Sequence, residues 1–254
     1  MKIAVCVKAV PDAATGRKLD PATGRLDRSG DLAVSDFDLH PVEEALRVRD
    51  AAGDGEVVVL SLGPAGAADA LRKTLAMGAD RSVLVSDPGF EGADLVTTAH
   101  ALAGALRREE ADLVLFGQQA SDSDGAVLWG AVAERLRLPV ASQASELQLG
   151  GSSVTVKRQT EYGYDCIETP LPAVVAVSDA INEPRYPSLK GIMGAKSKPQ
   201  ETVSLADLGV SNGGAKTTVI GLNPPPPRGD SQKIEDDGSA AEQLVAFLQE
   251  KKLL

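Results

Sequence analysis

Short aliphatic runs rich in β-branched residues punctuate the first half of the chain: Ile3 to Val7, Val57 to Leu60, Val83 to Val85 and Leu113 to Phe116. None of them alternates with polar residues, so each predicts a strand buried on both faces. Between the runs the apolar period lengthens. Val42, Ala45 and Leu46 share one helical face, as do Leu71 and Leu75, with Gly78 placed to stop that helix. Leu95, Ala99, Leu102 and Leu106 recur at helical spacing ahead of Arg107-Arg108, a pair suited to a helix carboxyl end. Apolar strands alternating with helices predict a doubly wound, mostly parallel, Rossmann-like α/β sheet. Its ligands should bind at the carboxyl ends of the strands.

From Gln143 to Glu168 the pattern changes. Glu146 to Leu149 and Ser153 to Lys157 alternate polar and apolar across Gly150-Gly151-Ser152, which predicts an antiparallel hairpin. Continued through Tyr162-Gly163-Tyr164, it reads as an arm protruding from the sheet. A buried-looking strand, Ala173 to Val177, follows, and then the stretch NEPRYPSLKGIMGAKSK from Asn182 to Lys198. Pro184 and Pro187 fix φ and remove backbone donors, so this stretch cannot be a sheet strand or a long regular helix. Leu189 stands there among Arg185, Lys190, Lys196 and Lys198. An apolar tip in a basic, irregular segment reads as a docking loop. The plainer alternative tucks Leu189, Ile192 and Met193 inward as core.

Pro224 to Pro227 predicts a stiff linker, and beyond it Leu244, Phe247 and Leu248 share one face of a terminal helix that Ser239 would cap. That helix packs either on its own domain or on a second subunit. The organisation expected is an α/β domain over residues 1–210, with the arm at about 143–168 and the docking loop at about 182–198. Residues 211–254 form the linker and helix, packed on a partner.

Composition narrows the choices. Only 3% of the 254 residues are aromatic, so the core must be built from Val, Leu and Ala. The formal net charge of −10 argues against nucleic acid as a partner. No apolar run approaches the ~20 residues of a membrane span, and no direct membrane insertion is expected. Met1-Lys2 leads straight into a strand pattern, without room for a leader, so the cytoplasm is the expected location. Cys6 and Cys166 lack metal-ligand spacing and sit within strand-like patterns. Both read as small buried hydrophobes, and no metal site is expected.

The strand Leu113 to Phe116 opens into a loop of small and amide residues, Gly117 to Gly125, before a helix carrying Val127, Ala131, Val132 and Leu136. A loop of this kind at a helix N-terminus presents backbone N–H groups that suit a phosphate. The alternative is a plain connection in which Asp122 or Asp124, read as exposed loop carboxylates, caps the helix. No GxGxxG, no GxxxxGK[ST], no acid/base pair and no nucleophile–His arrangement stands out, so catalytic residues are not expected.

Four ordered segments carry a resemblance: Ile3 to Lys8 with Pro11-Asp12, LAMGADR at Leu75 to Arg81 running into Ser82 to Val85, ADLVLFGQQA at Ala111 to Ala120, and NEPRY with the following Leu and Ile-Met run. Across roughly residues 1–210 the chain resembles electron transfer flavoprotein β subunits. The resemblance implies an adenine-nucleotide-binding α/β fold and an electron carrier rather than an enzyme. It implies a heterodimer with an α subunit, an FAD shared with that subunit, and a structural AMP. The AMP would be held by Gly117, Gln118, Gln119, Ala120, Ser121, Asp122, Ser123, Asp124, Gly125, Ala126, Val127 and Leu128. Cys6, Leu62 and the turn Ser35-Asp36-Phe37-Asp38 would close the site, with Phe37 facing the flavin. Family members usually place Thr, Gln or Asn near positions 126 to 128, against phosphate, whereas this chain has three apolar residues. Backbone amides then suffice, or the site takes another ligand, such as the second FAD of electron-bifurcating members, or none.

For partners, the resemblance implies acyl-CoA and similar flavin dehydrogenases as donors and a quinone-linked oxidoreductase as acceptor. Arg185, Tyr186, Leu189, Ile192, Met193 and Lys196 would form the recognition surface. The arm usually carries a carboxylate that pairs with an α-subunit arginine. Here Gln159 aligns with it, leaving Glu161 as the charged candidate. A reading of another class, a stand-alone nucleotide-binding enzyme, lacks a catalytic phosphate loop and leaves 182–198 unexplained.

Overall fold

A computed structural model describes residues 1–223, 225–227 and 233–254. They divide into two units, Met1–Thr218 and Val219–Leu254. The first unit begins with β1 (Lys2–Cys6), β2 (Ala9–Pro11), β3 (Leu19–Asp20), β4 (Arg25–Leu26) and β5 (Leu32–Val34). Helix α1 (Asp36–Ala52), β6 (Glu56–Leu62), α2 (Ala67–Met77) and β7 (Arg81–Val85) follow. Then come α3 (Leu95–Glu109), β8 (Leu113–Gly117), α4 (Leu128–Leu136), β9 (Val140–Gly150), β10 (Ser153–Thr160) and β11 (Gly163–Pro170). The unit ends with β12 (Ala173–Val177), α5 (Leu189–Ala195), β13 (Gln200–Val203) and α6 (Leu205–Leu208).

Nine strands form one sheet in the order β11-β10-β9-β12-β8-β1-β6-β7-β13. Every pair from β9 to β13 is parallel, and only β10 and β11 run antiparallel to their neighbours. Successive side chains of a strand point to opposite faces, so each apolar run feeds two cores. Val5, Val59 and Leu115 meet Val42 and Leu46 of α1 and Leu71 and Leu75 of α2. Ala4, Val58 and Val114 meet Leu102 and Leu106 of α3 and Val132 of α4. The doubly wound architecture expected from the pattern is therefore present.

The helix limits follow local chemistry. Gly78, at φ 137°, ends α2, and the Asp94 carboxylate accepts the Thr97 N–H at the start of α3. Leu95 departs from the stripe of α3: it lies 41% exposed at the first helical position, while Ala99, Leu102 and Leu106 are buried.

The hairpin forms between β9 and β10 and grows out of the sheet: beyond Ala144, β9 pairs with β10 alone and so projects past β12. The first part of β9 pairs with β12 through Val140, Ala141 and Ala144, and its distal part pairs with β10. Cys166 lies on the edge strand β11, whose faces are largely uncovered, so it is exposed; only Cys6 is a buried hydrophobe. Between β1 and α1 the chain makes an excursion that the apolar pattern does not announce. There β2 pairs with β5, and β3 pairs with β4. The segment from Asn182 stays irregular through Pro187 and then turns into α5, whose first residue is Leu189; the Ser188 hydroxyl accepts the Gly191 N–H.

In the second unit α7 (Ala240–Glu250) carries Leu244, Val245 and Phe247 exposed. Ser239 occupies the position before α7 without capping it. Its hydroxyl donates to Asp237 Oδ1 and accepts from Gln243 instead. Pro224, the first residue of the expected proline linker, lies outside the described residues. Among the described residues no helix is long and apolar enough to cross a membrane.

Candidate functional site

The order of the sheet reverses at β1. One side continues through β6, β7 and β13, the other through β8, β12 and β9. A crevice outside the strand ends is built at such a switch point. Leaving β8, the Gln118 N–H donates to the Val177 carbonyl at 2.9 Å, which extends the ladder by one residue. The Gln118 carbonyl accepts Trp129 Nε1 at 3.1 Å, and its side-chain oxygen accepts the Gln143 N–H at 3.0 Å. Ser35, fully buried, donates its N–H to the Lys8 carbonyl and accepts the Ser121 N–H on Oγ at 3.1 Å. The 35–38 turn and the 117–128 loop are thus bonded together. Gly117 makes this approach possible: a Cβ there would lie 2.5 Å from Asp38 Oδ1 and 2.8 Å from the Phe37 carbonyl. Cys6, opposite Phe116, and half-buried Leu62 stand at the ends of their strands on the α3/α4 side. Phe37 is half-buried and Asp36 exposed.

Charge is organised around Asp122. Its side chain is wholly covered and bridges two cations: Lys8 Nζ donates to Oδ1 at 2.8 Å and Arg28 Nη2 to Oδ2 at 2.5 Å. Asp122 is therefore not an exposed carboxylate, and neither it nor Asp124 caps α4. The residue before that helix is Val127, and Asp124 instead accepts from Gln119 Nε2 at 3.1 Å. The reason is geometric, since the turn at 120–124 folds back on the excursion before the helix begins. Burial opposes ionisation of Asp122, but the hydrogen bonds from Lys8 and Arg28 outweigh it and hold the carboxyl below its ordinary range. Asp38 shows the opposite balance. Burial lifts it to about 7 although the Lys8 N–H, at 2.7 Å, and the Gly117 N–H favour the anion. Burial and then the neighbouring Asp38 push the Cys6 thiol up, which leaves it unreactive.

The entry to α4 suits an anion. Its first N–H groups have no intrahelical partner, and no side chain caps them. Asp124 and Ala126 adopt φ of 47° and 46°, and a Cβ at Gly125 would touch nothing within 4 Å. Helix-start donors without a side-chain cap, beside a Gly125 whose Cβ direction is open, fit a phosphate, with no side-chain donor at 126–128. A separate groove of about 530 Å³ between α3 and α4 carries Arg107, Arg135 and Arg137. Arg107 answers the carboxyl end of α4 by donating to the Arg135 carbonyl, and the groove shares no lining residue with the 117–128 loop.

A second surface lies at α5. Tyr186 is 93% exposed, Leu189 81%, Met193 71% and Ile192 50%, so these side chains do not tuck into the core. Lys196 is exposed, whereas Lys198 donates to the Leu75 and Ala79 carbonyls at the end of α2, and burial lowers its pKa. Lys198 is thus a brace rather than a rim charge. Arg185 forks onto Glu43. Glu161 sits exposed in the β10–β11 turn at one edge of the sheet, away from α5, which packs on α2. The sequence pattern assigns no site role to Lys8, Arg28, Trp129, Gln143 or Glu43. Lys8, two residues beyond β1, carries a positional hint; Arg28, 94 residues from Asp122, carries none.

The fold and crevice define a doubly wound α/β protein with an anion-ready strand-to-helix loop at its switch point. The electron transfer flavoprotein domain matches residues 23–208. The chain is 37% identical over 263 residues to the electron transfer flavoprotein subunit beta of Mycobacterium tuberculosis, covering 99% of each chain. It is 38% identical over 265 residues to that of Mycobacterium leprae, again covering 99% of each. It is also 36% identical over 263 residues to the caffeyl-CoA reductase-Etf complex subunit CarD of Acetobacterium woodii, covering all of both. The chain belongs to the electron transfer flavoprotein family, as a β subunit.

Proposed function

We propose that this chain pairs with an α subunit, completes that subunit's FAD site, and holds AMP in the switch-point crevice as a structural ligand. The assembly takes electrons from acyl-CoA or related flavin dehydrogenases and delivers them to a quinone-linked oxidoreductase. FAD supplies the redox chemistry. This chain supplies binding and orientation: the α4 N–H groups and Gly125 would receive the AMP phosphate, Ser35 to Asp38 would border it, and Phe37 would face the flavin. On the arm, Glu161 offers a carboxylate to the α subunit. One observation carries the reading, the exposed apolar group Tyr186, Leu189 and Met193 beside Lys196, which fits insertion into a partner pocket.

The test is Leu189→Ala in the assembled heterodimer. Leu189 is 81% exposed, so melting temperature and flavin content should not change. Electron transfer from the dehydrogenase should fall about thirtyfold in affinity, as anchor truncations of about 2 kcal/mol do. Unchanged coupling would refute the docking reading. The absence of side-chain donors at Ala126, Val127 and Leu128 favours keeping a second reading, in which FAD replaces AMP. Nucleotide extraction separates them: one flavin with one AMP supports the first, and two flavins support the second.

A further inference from the structure

Leu189 owes its place to contacts made by other residues. On one side, Arg185 forks onto Glu43 of α1, with Nε–Oε2 at 2.7 Å and Nη2–Oε1 at 3.1 Å, and its backbone N–H reaches the same carboxylate at 3.2 Å. The Glu43 side chain is only 7% exposed, so the fork is anchored in the body of the protein rather than at its surface. Asn182 adds bonds from Nδ2 to the His40 carbonyl and to Glu44, both at 3.0 Å. On the other side α5 lies directly on α2. A Cβ at Gly191 would overlap the Ala76 carbonyl oxygen, so only glycine lets the two helices approach this closely. Between these two fixings stand Tyr186 and Leu189, both bare.

We propose that Glu43 and Gly191 are positioning residues for partner docking, a two-point mount that holds Leu189 in its bound position before the partner arrives. This rests on the reading of Leu189 as the docking anchor. An apolar tip on a loose loop would surrender conformational entropy on every encounter, and a mounted one has already done so. Arg185 serves the mount rather than the partner, because its guanidinium is occupied by Glu43 and Asp50.

The experiment uses the assembled heterodimer with an acyl-CoA dehydrogenase as electron donor, comparing wild type, Glu43→Gln, Gly191→Ala and Leu189→Ala. Two quantities are read: KM for the heterodimer against kcat, and amide hydrogen exchange of residues 184–196. Glu43→Gln and Gly191→Ala should each raise KM about tenfold with kcat and flavin content unchanged. Exchange in 184–196 should quicken at least about tenfold, while the strands at 2–6 and 113–117 keep their protection. Arg185→Lys keeps the charge but loses the fork, and should fall between wild type and Glu43→Gln; it decides the matter if Glu43→Gln loses protection throughout. If Leu189→Ala raises KM but the mount variants do not, docking stands and the mount is overturned. Faster exchange with an unchanged KM overturns it equally. If Leu189→Ala itself leaves KM unchanged, the docking reading fails and the mount proposal falls with it.

Discussion

Replacing Asp122 with Asn tests whether the crevice is held by charge. The carboxylate has no exposed surface and carries both Lys8 and Arg28, whose side chains are 36% and 35% exposed. Removing one member of a fully buried pair costs roughly 3–5 kcal/mol, and a single charge-assisted hydrogen bond contributes about 1.5–3 kcal/mol. Here water reaches both stranded cations and the amide oxygen still accepts one bond, so the loss should be near 2 kcal/mol. For a domain of this size, that lowers the melting temperature by about 4–8 °C. Trp129 is the only tryptophan in the chain and bonds to the Gln118 carbonyl, so its emission reports melting at the crevice itself. The sign with pH is fixed. The folded carboxyl titrates below the ordinary 3.8, so its contribution is complete above that value and disappears as pH falls through the folded pKa. Wild type and variant should differ equally at pH 5 and pH 7 and converge under stronger acid. Exposed Asp36→Asn serves as the control, with an expected change within about 0.5 kcal/mol. An Asp122→Asn chain melting within about 1 °C of wild type at pH 7, or a gap that persists in strong acid, would refute the reasoning.

Two glycines of the loop should behave oppositely. Gly117→Ala drives a Cβ against Asp38 and should lower stability by about 1–3 kcal/mol with or without nucleotide. A Cβ at Gly125 has no protein atom within 4 Å, so the nucleotide-free Gly125→Val chain should melt close to wild type, while the rise in melting temperature on adding AMP should be lost. In the native chain iodoacetamide should label Cys166, which is exposed, and spare the buried Cys6 until unfolding. Mass spectrometry of the peptides reads this directly, and labelling of native Cys6 would contradict its placement.

Much of this protein is written locally. The aliphatic runs at Ile3, Val57, Val83, Leu113 and Ala173, with intervening helical stripes, determine a doubly wound sheet, because period and burial are properties of neighbouring residues. Gly78, Gly151 and the Pro184–Pro187 pair place their stops and turns for the same reason. The tertiary structure alone decided which distant groups meet. Asp122 reads as a surface cap until the fold brings Lys8 and Arg28 onto it from 114 and 94 residues away. Lys198 reads as one more basic residue of the docking segment until α2 ends beneath it, and Cys166 reads as core until its strand becomes the sheet edge. Leu189 was open to either fate from its sequence, and the fork of Arg185 on Glu43, 142 residues away, accompanies its exposure. An ion pair or a close helix approach leaves no periodic trace along the chain, because its partners are selected by topology rather than by spacing.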